Sequence, residues 1–90
     1  MGKKGYTIIK NEILQDDPLS LKARGLYSFM KSLPDTWEYS KAGLLSRIPD
    51  GIRSLESGLE ELKKHGYLEI IPERKPNGQI SYKYILKEPP

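Results

Sequence analysis

The stretch Pro49 to Leu62, PDGIRSLESGLEEL, places Arg53, Ser54 and Ser57 among leucines at helical spacing. An arginine guanidinium can donate two hydrogen bonds to guanine O6 and N7, worth about 1–3 kcal/mol of base discrimination. The small serines allow a base edge or a phosphate to come close. A second group follows in ERKPNGQ, where Arg74 and Lys75 are adjacent cations at the tip of an expected hairpin, with Lys83 beyond them. Cations placed there hold phosphates and position a protein on nucleic acid without reading sequence. The same residues also suit an ordinary solvated surface, with Arg53 pairing to Glu56 or Ser57 and loop charges preventing edge-to-edge aggregation. Both alternatives stand at this level.

Other chemistry lacks its parts. There is no G-x-x-x-x-G-K-[ST] loop, no G-x-G-x-x-G, no H-E-x-x-H and no G-x-S-x-G. The chain is therefore expected not to be an enzyme and to need no cofactor. His65 is the single histidine and there is no cysteine, which leaves no zinc set. Trp37 and Tyr39 could stack on bases, but beside apolar stripes they read as core. Asp16-Asp17 reads as a polar turn before Pro18.

Ninety residues make one small domain, with 37% hydrophobic and 30% charged residues. The formal net charge is +3 and the pI about 9.1. That charge is uneven: residues 1–24 and 72–90 each carry +2, whereas 50–65, which holds the candidate groove helix, carries −1. No apolar run reaches the roughly 20 residues of a membrane span. MGKKGYTIIK lacks the apolar core of a secretion signal, and the absence of cysteine agrees with a reducing compartment. A cytoplasmic protein with no membrane partner is expected.

The elements that must position these residues follow from pattern. Residues 1–5 read as a flexible start, YTIIK as a short strand and NEILQDD as one helical turn at most. Ser20 is suited to cap a first firm helix, with Leu26, Phe29, Met30 and Leu33 on one face. Gly25 suggests a close helix crossing, and Pro34 ends the helix. TWEY alternates as a second short strand. Ser40 can cap KAGLLSRI, and Asp50 can cap the next helix. There Ile52, Leu55, Leu59 and Leu62 form the most regular stripe of the chain, and Gly66 is the stop. Two strands, YLEIIP and ISYKYILK, flank Asn77-Gly78, whose positive φ angles would make the hairpin tip. Residues 88–90 read as a stub. Two helices across a tight turn, followed by a hairpin, spell an α+β winged helix-turn-helix: three helices, a C-terminal hairpin wing and short extra strands over residues 6–87.

The residues also resemble a family. Ser20, Lys22, Ala23, Arg24, Gly25 and Leu26 match S-x-K-A-[KR]-G-L. Ser32, Leu33, Pro34, Trp37, Tyr39 and Ser40 match S-L-P-x-x-W-x-[FY]-S, and Leu62, Gly66, Tyr67 and Leu68 match L-x-x-x-G-Y-L. These patterns resemble the winged-helix domain of bacterial and phage replication initiators and replisome organisers, of DnaD type or RepA-like, over roughly residues 6–86. They describe packing, and so speak for fold more than for function. The resemblance implies double-stranded DNA as partner, with Arg53, Ser54 and Ser57 facing the major groove and Gly51 near the helix start. Ser40 and Lys41 would meet phosphate, and Arg74, Lys75, Asn77 and Gln79 would form the wing tip. It further implies other replication proteins as partners. One departure is that Glu56, Glu60 and Glu61 would repel phosphates.

Specificity is expected to need a homodimer, a higher oligomer or a neighbouring domain, since one copy offers few base contacts. Two rivals stay open. One is a transcriptional regulator on the same scaffold. The other is a winged helix used for protein interaction or oligomerisation without DNA, favoured by the acidic helix face.

Overall fold

The computed structural model describes residues 5–88; Met1–Lys4 and Pro89–Pro90, where most of the expected start and stub fall, lie outside the described residues. The elements are α1 (Asn11–Leu14), α2 (Leu21–Ser32), α3 (Lys41–Leu45), α4 (Ile52–Lys64), β1 (Leu68–Arg74) and β2 (Ile80–Leu86). This is an α+β arrangement of four helices and one antiparallel hairpin among the described residues. No described helix is long and apolar enough to cross a membrane.

Helix α2 starts where a cap makes it start. The Ser20 hydroxyl accepts from the Ala23 N–H at 3.1 Å, satisfying one of the orphan donors of the first turn. Ser40 does the same for α3, accepting from Gly43 N–H at 2.9 Å. The cap expected of Asp50 does not form: Gly51 occupies the N-cap of α4 with no side-chain hydrogen bond. Gly66 ends α4 at φ +83, the left-handed region a glycine enters without steric cost.

The core lies where α2, α4 and the hairpin base meet. Leu55, Leu59 and Leu62 are buried along α4, as their spacing requires, whereas Ile52 at the head of the stripe is 43% exposed. On α2 the buried line is Ala23, Tyr27 and Met30, with Leu26 and Phe29 only half-buried. The face is thus rotated from the one expected, because Tyr27 reaches across the core to donate to the Lys87 carbonyl at 3.1 Å and meets Tyr67 edge-on at 6.2 Å. The close crossing of α2 and α4 also moves. A Cβ at Gly58 would stand 2.9 Å from Leu26 Cδ2, while one at Gly25 would meet nothing within 4 Å.

Neither expected extra strand forms. Residues 6–10 and 36–39 are irregular, and the one sheet among the described residues is the β1–β2 hairpin, so neither segment joins a ladder. Trp37 and Tyr39 still serve as packing: Tyr39 donates to the Met30 carbonyl at 2.6 Å, and the Arg47 guanidinium lies 5.7 Å from the Trp37 ring centroid.

In the hairpin Leu68 pairs with Leu86, Ile70 with Tyr84, Pro72 with Tyr82 and Arg74 with Ile80. Those residues share one face. It is core at the base, where Leu68 is buried, and solvent at the far end, where Tyr82 is 57% and Ile80 53% exposed. Alternation along β2 puts Ile80, Tyr82, Tyr84 and Leu86 on this face, but the core is too short to cover all of it.

Candidate nucleic-acid interface

Helix α4 presents Arg53, Ser57, Glu60 and Lys64 at i, i+4, i+7 and i+11, the side opposite the buried leucines. Arg53 is exposed and has no hydrogen-bond or ion-pair partner among the described residues. The pairing to Glu56 or Ser57 that local spacing allowed is absent, because both have other partners. Glu56 accepts from Lys41 Nζ at 3.1 Å, and Ser57 accepts from Lys22 Nζ at 3.0 Å.

One of the expected groove residues is placed differently, and a second is already engaged. Ser54 is half-buried and borders a hollow with Leu21, Gly25, Phe29 and Ile48, between α2 and the start of α4. It sits about 100° round the helix from Arg53, so it leaves the outward face. Ser57 stays exposed, but its hydroxyl is held by the cation of α2. Gly51 is exposed at the helix start with open space about it.

The acidic residues are handled one by one. Lys41 heads α3 and grips Glu56; that carboxylate, as hydrogen-bond acceptor and as charge, raises the lysine's pKa above its usual value. Lys63 pairs with Glu60 at 3.1 Å. Glu61 turns away from the outer face to accept from Ser20, whose backbone N–H and then hydroxyl hold the carboxyl below its usual range. The negative charge written into α4 is therefore largely matched within the fold. Ser40 is exposed, but its oxygen is occupied by the α3 cap.

The hairpin tip is a turn over Lys75–Gly78 closed by Gly78 N–H to the Lys75 carbonyl at 3.0 Å, with Lys75 N–H to the Gln79 carbonyl at 2.7 Å. Only Gly78 has positive φ, at +88; Asn77 does not, contrary to the two-residue turn expected. Pro76 and Asn77 occupy the middle of the turn, and Gly78 then takes the left-handed position that lets the strands rejoin. Asn77 contributes by accepting the Gln79 N–H at 3.1 Å, so its side chain builds the tip instead of reaching outward. Gln79 is exposed. The charged groups of Arg74, Lys75 and Lys83 are exposed and have no partners among the described residues.

Three features of this surface escaped the sequence reading. Lys22 reaches α4 from 35 positions away, which no local pattern reports. Lys64 had a signal, its i+11 spacing from Arg53. Tyr82 had the opposite signal, since strict alternation assigns it to a core that ends before it. No protein-family model, curated protein or solved structure matches this chain.

Proposed function

We propose that this protein is a winged helix-turn-helix that binds double-stranded DNA, with α4 in the major groove, α3 bracing it on the backbone and the hairpin as wing. The observation that carries this reading is the set of exposed cations Arg53, Arg74, Lys75 and Lys83, unpaired among the described residues, on elements that follow one another in helix–turn–helix–hairpin order. Arg53 supplies the base contact, and the hairpin cations supply phosphate contacts that set register. The resemblance of the sequence patterns to replication initiators and replisome organisers supports replication as the setting.

Fluorescence anisotropy with a mixed-sequence duplex at low and moderate salt tests it. Roughly four to six engaged cations give a slope of log K against log salt of about −4 to −5. Arg74→Ala/Lys75→Ala flattens the slope by about 2 and weakens binding to all sequences alike. Absence of binding at low salt would overturn the DNA reading. The remaining reading would then be an interaction module, favoured by the internally neutralised acidic face of α4.

A further inference from the structure

The outer half of the hairpin joins exposed apolar surface to unpaired cations. Tyr82 and Ile80 are more than half exposed, Ile71 is 36% exposed, and Pro72 stands opposite Tyr82 in the register. Large apolar side chains exposed together in one patch, beside charged groups, mark an interaction surface. Arg74 shares the face of Tyr82 and Ile80, Lys75 stands at the tip, and Ile71 and Lys83 lie on the opposite face; residues 73–83 carry a formal charge of +2. A groove of about 1350 Å³ separates this ribbon from α4, bordered by Trp37, Lys41, Glu56, Lys63, Tyr82 and Lys83.

Phosphates alone do not account for this surface. Contacts to a duplex backbone need cations and hydrogen-bond donors, and gain nothing from an uncovered tyrosine ring. An intact duplex also keeps its base faces stacked out of reach. An unpaired strand offers both a ring face and a phosphate in each nucleotide, which is the pairing of surfaces the hairpin presents. The groove orients such a strand. On its α4 wall Glu56 and Glu60 are already matched by Lys41 and Lys63, whereas Lys75 on the hairpin side has no ion-pair partner among the described residues, so the backbone follows the Lys75 side and the bases turn in toward Tyr82.

We infer that the hairpin holds an unpaired DNA strand beside the duplex, with Tyr82 stacking on a base and Lys75 at the hairpin tip on a flanking phosphate. The inference rests on the DNA-binding reading and narrows its substrate to a duplex with a single-stranded extension. The tyrosines already engaged are unsuited to this role. Tyr27 and Tyr39 each donate to a backbone carbonyl and Tyr67 to the Asp16 carboxylate, whereas Tyr82 has no such partner among the described residues.

Anisotropy on the full chain with a blunt duplex, the same duplex bearing an unpaired tail, and the tail alone tests this. The wild type prefers the tailed duplex over the blunt one by about fivefold or more, the worth of one stacked base. Tyr82→Ala removes that preference and leaves blunt-duplex affinity unchanged, while Tyr82→Phe retains it. Thermal melts of both variants verify folding, which an exposed position leaves intact. A 2-aminopurine at the first unpaired position is quenched by wild type and by Tyr82→Phe but not by Tyr82→Ala. Equal binding of blunt and tailed duplexes, or a preference that survives Tyr82→Ala, overturns the inference while leaving duplex binding standing. Binding to the tailed DNA alone overturns the duplex reading and keeps the strand site. No binding to any of the three overturns both.

Discussion

Glu61, near the end of α4, accepts both the backbone N–H and the hydroxyl of Ser20, the residue that begins α2. Within one helix this role belongs to a glutamate or glutamine three residues after the cap. Here that position is Ala23, which has no acceptor to offer. The Ser20 hydroxyl thus donates to Glu61 while accepting from Ala23, and the start of one helix is tied to the end of another. This contact holds Glu61 away from the outward face of α4.

Ser20→Ala removes the cap of α2 and one of the two bonds to Glu61. The expected cost is about 1 kcal/mol, a fall in Tm of about 4–8 °C for a domain of this size. A thermal melt followed by circular dichroism measures it.

Glu61 also gives stability a direction in pH. Its folded-state pKa is lowered by the Ser20 donors, so the contribution is present above the ordinary glutamate pKa and is lost as pH falls through the lowered folded value. Glu88, held down by its hydrogen bond and charge contact with Lys31, adds in the same sense. Urea midpoints measured across the acid range should fall for wild type, and Glu61→Gln should fall less because it no longer takes up that proton.

Tyr27 acts at the other end of the scale. Burial, with smaller contributions from Glu88 and neighbouring tyrosines, pushes its pKa up to about 12. Its share of stability is complete below about pH 10, the value of a free phenol, and is lost as pH rises to about 12. Tyr27→Phe loses the hydrogen bond to the Lys87 carbonyl, about 1 kcal/mol near neutrality. It also shows a shallower alkaline limb when unfolding is followed against pH.

Two helix glycines separate propensity from packing. Gly25→Ala meets open space and should stabilise by about 0.5–1 kcal/mol. Gly58→Ala gains the same propensity but sets a Cβ against Leu26 at the α2–α4 crossing, and Leu26 must move to admit it. Denaturant midpoints of the two variants should therefore separate, with Gly25→Ala the more stable. Equal gains would show that the crossing is loose.

The Lys41–Glu56 pair joins α3 to the face of α4, and under the proposed DNA-binding function it sets how strongly that face attracts phosphate. Glu56→Gln should tighten duplex binding at low salt, with the advantage shrinking as salt screens it. Lys41→Ala should weaken binding and lower the salt slope by about 0.9, the share of one phosphate contact. Titrations of both variants against wild type at several salt concentrations distinguish these outcomes. A slope unchanged in Lys41→Ala would remove α3 from the interface.

What could be read along the chain was whatever depends on neighbours in sequence. Ser20 and Ser40 cap helices because a serine oxygen reaches an N–H three residues on. Leu55, Leu59 and Leu62 share a face because a helix has 3.6 residues per turn, and Gly66 ends that helix because it enters the left-handed region without cost. The α+β order and the antiparallel hairpin with its charged tip follow from the same local rules.

Tertiary structure decided what depends on distance through space. It rotated the buried face of α2 onto Tyr27, placed the helix crossing at Gly58 instead of Gly25, and left residues 6–10 and 36–39 without strand partners. It sent Glu56 to Lys41 and Glu61 to Ser20, and so left Arg53 unpaired. It ended the core before Tyr82, turning a residue of core spacing into exposed surface. Periodicity says which residues share a face; only the extent of the packed body says how far along that face water is excluded.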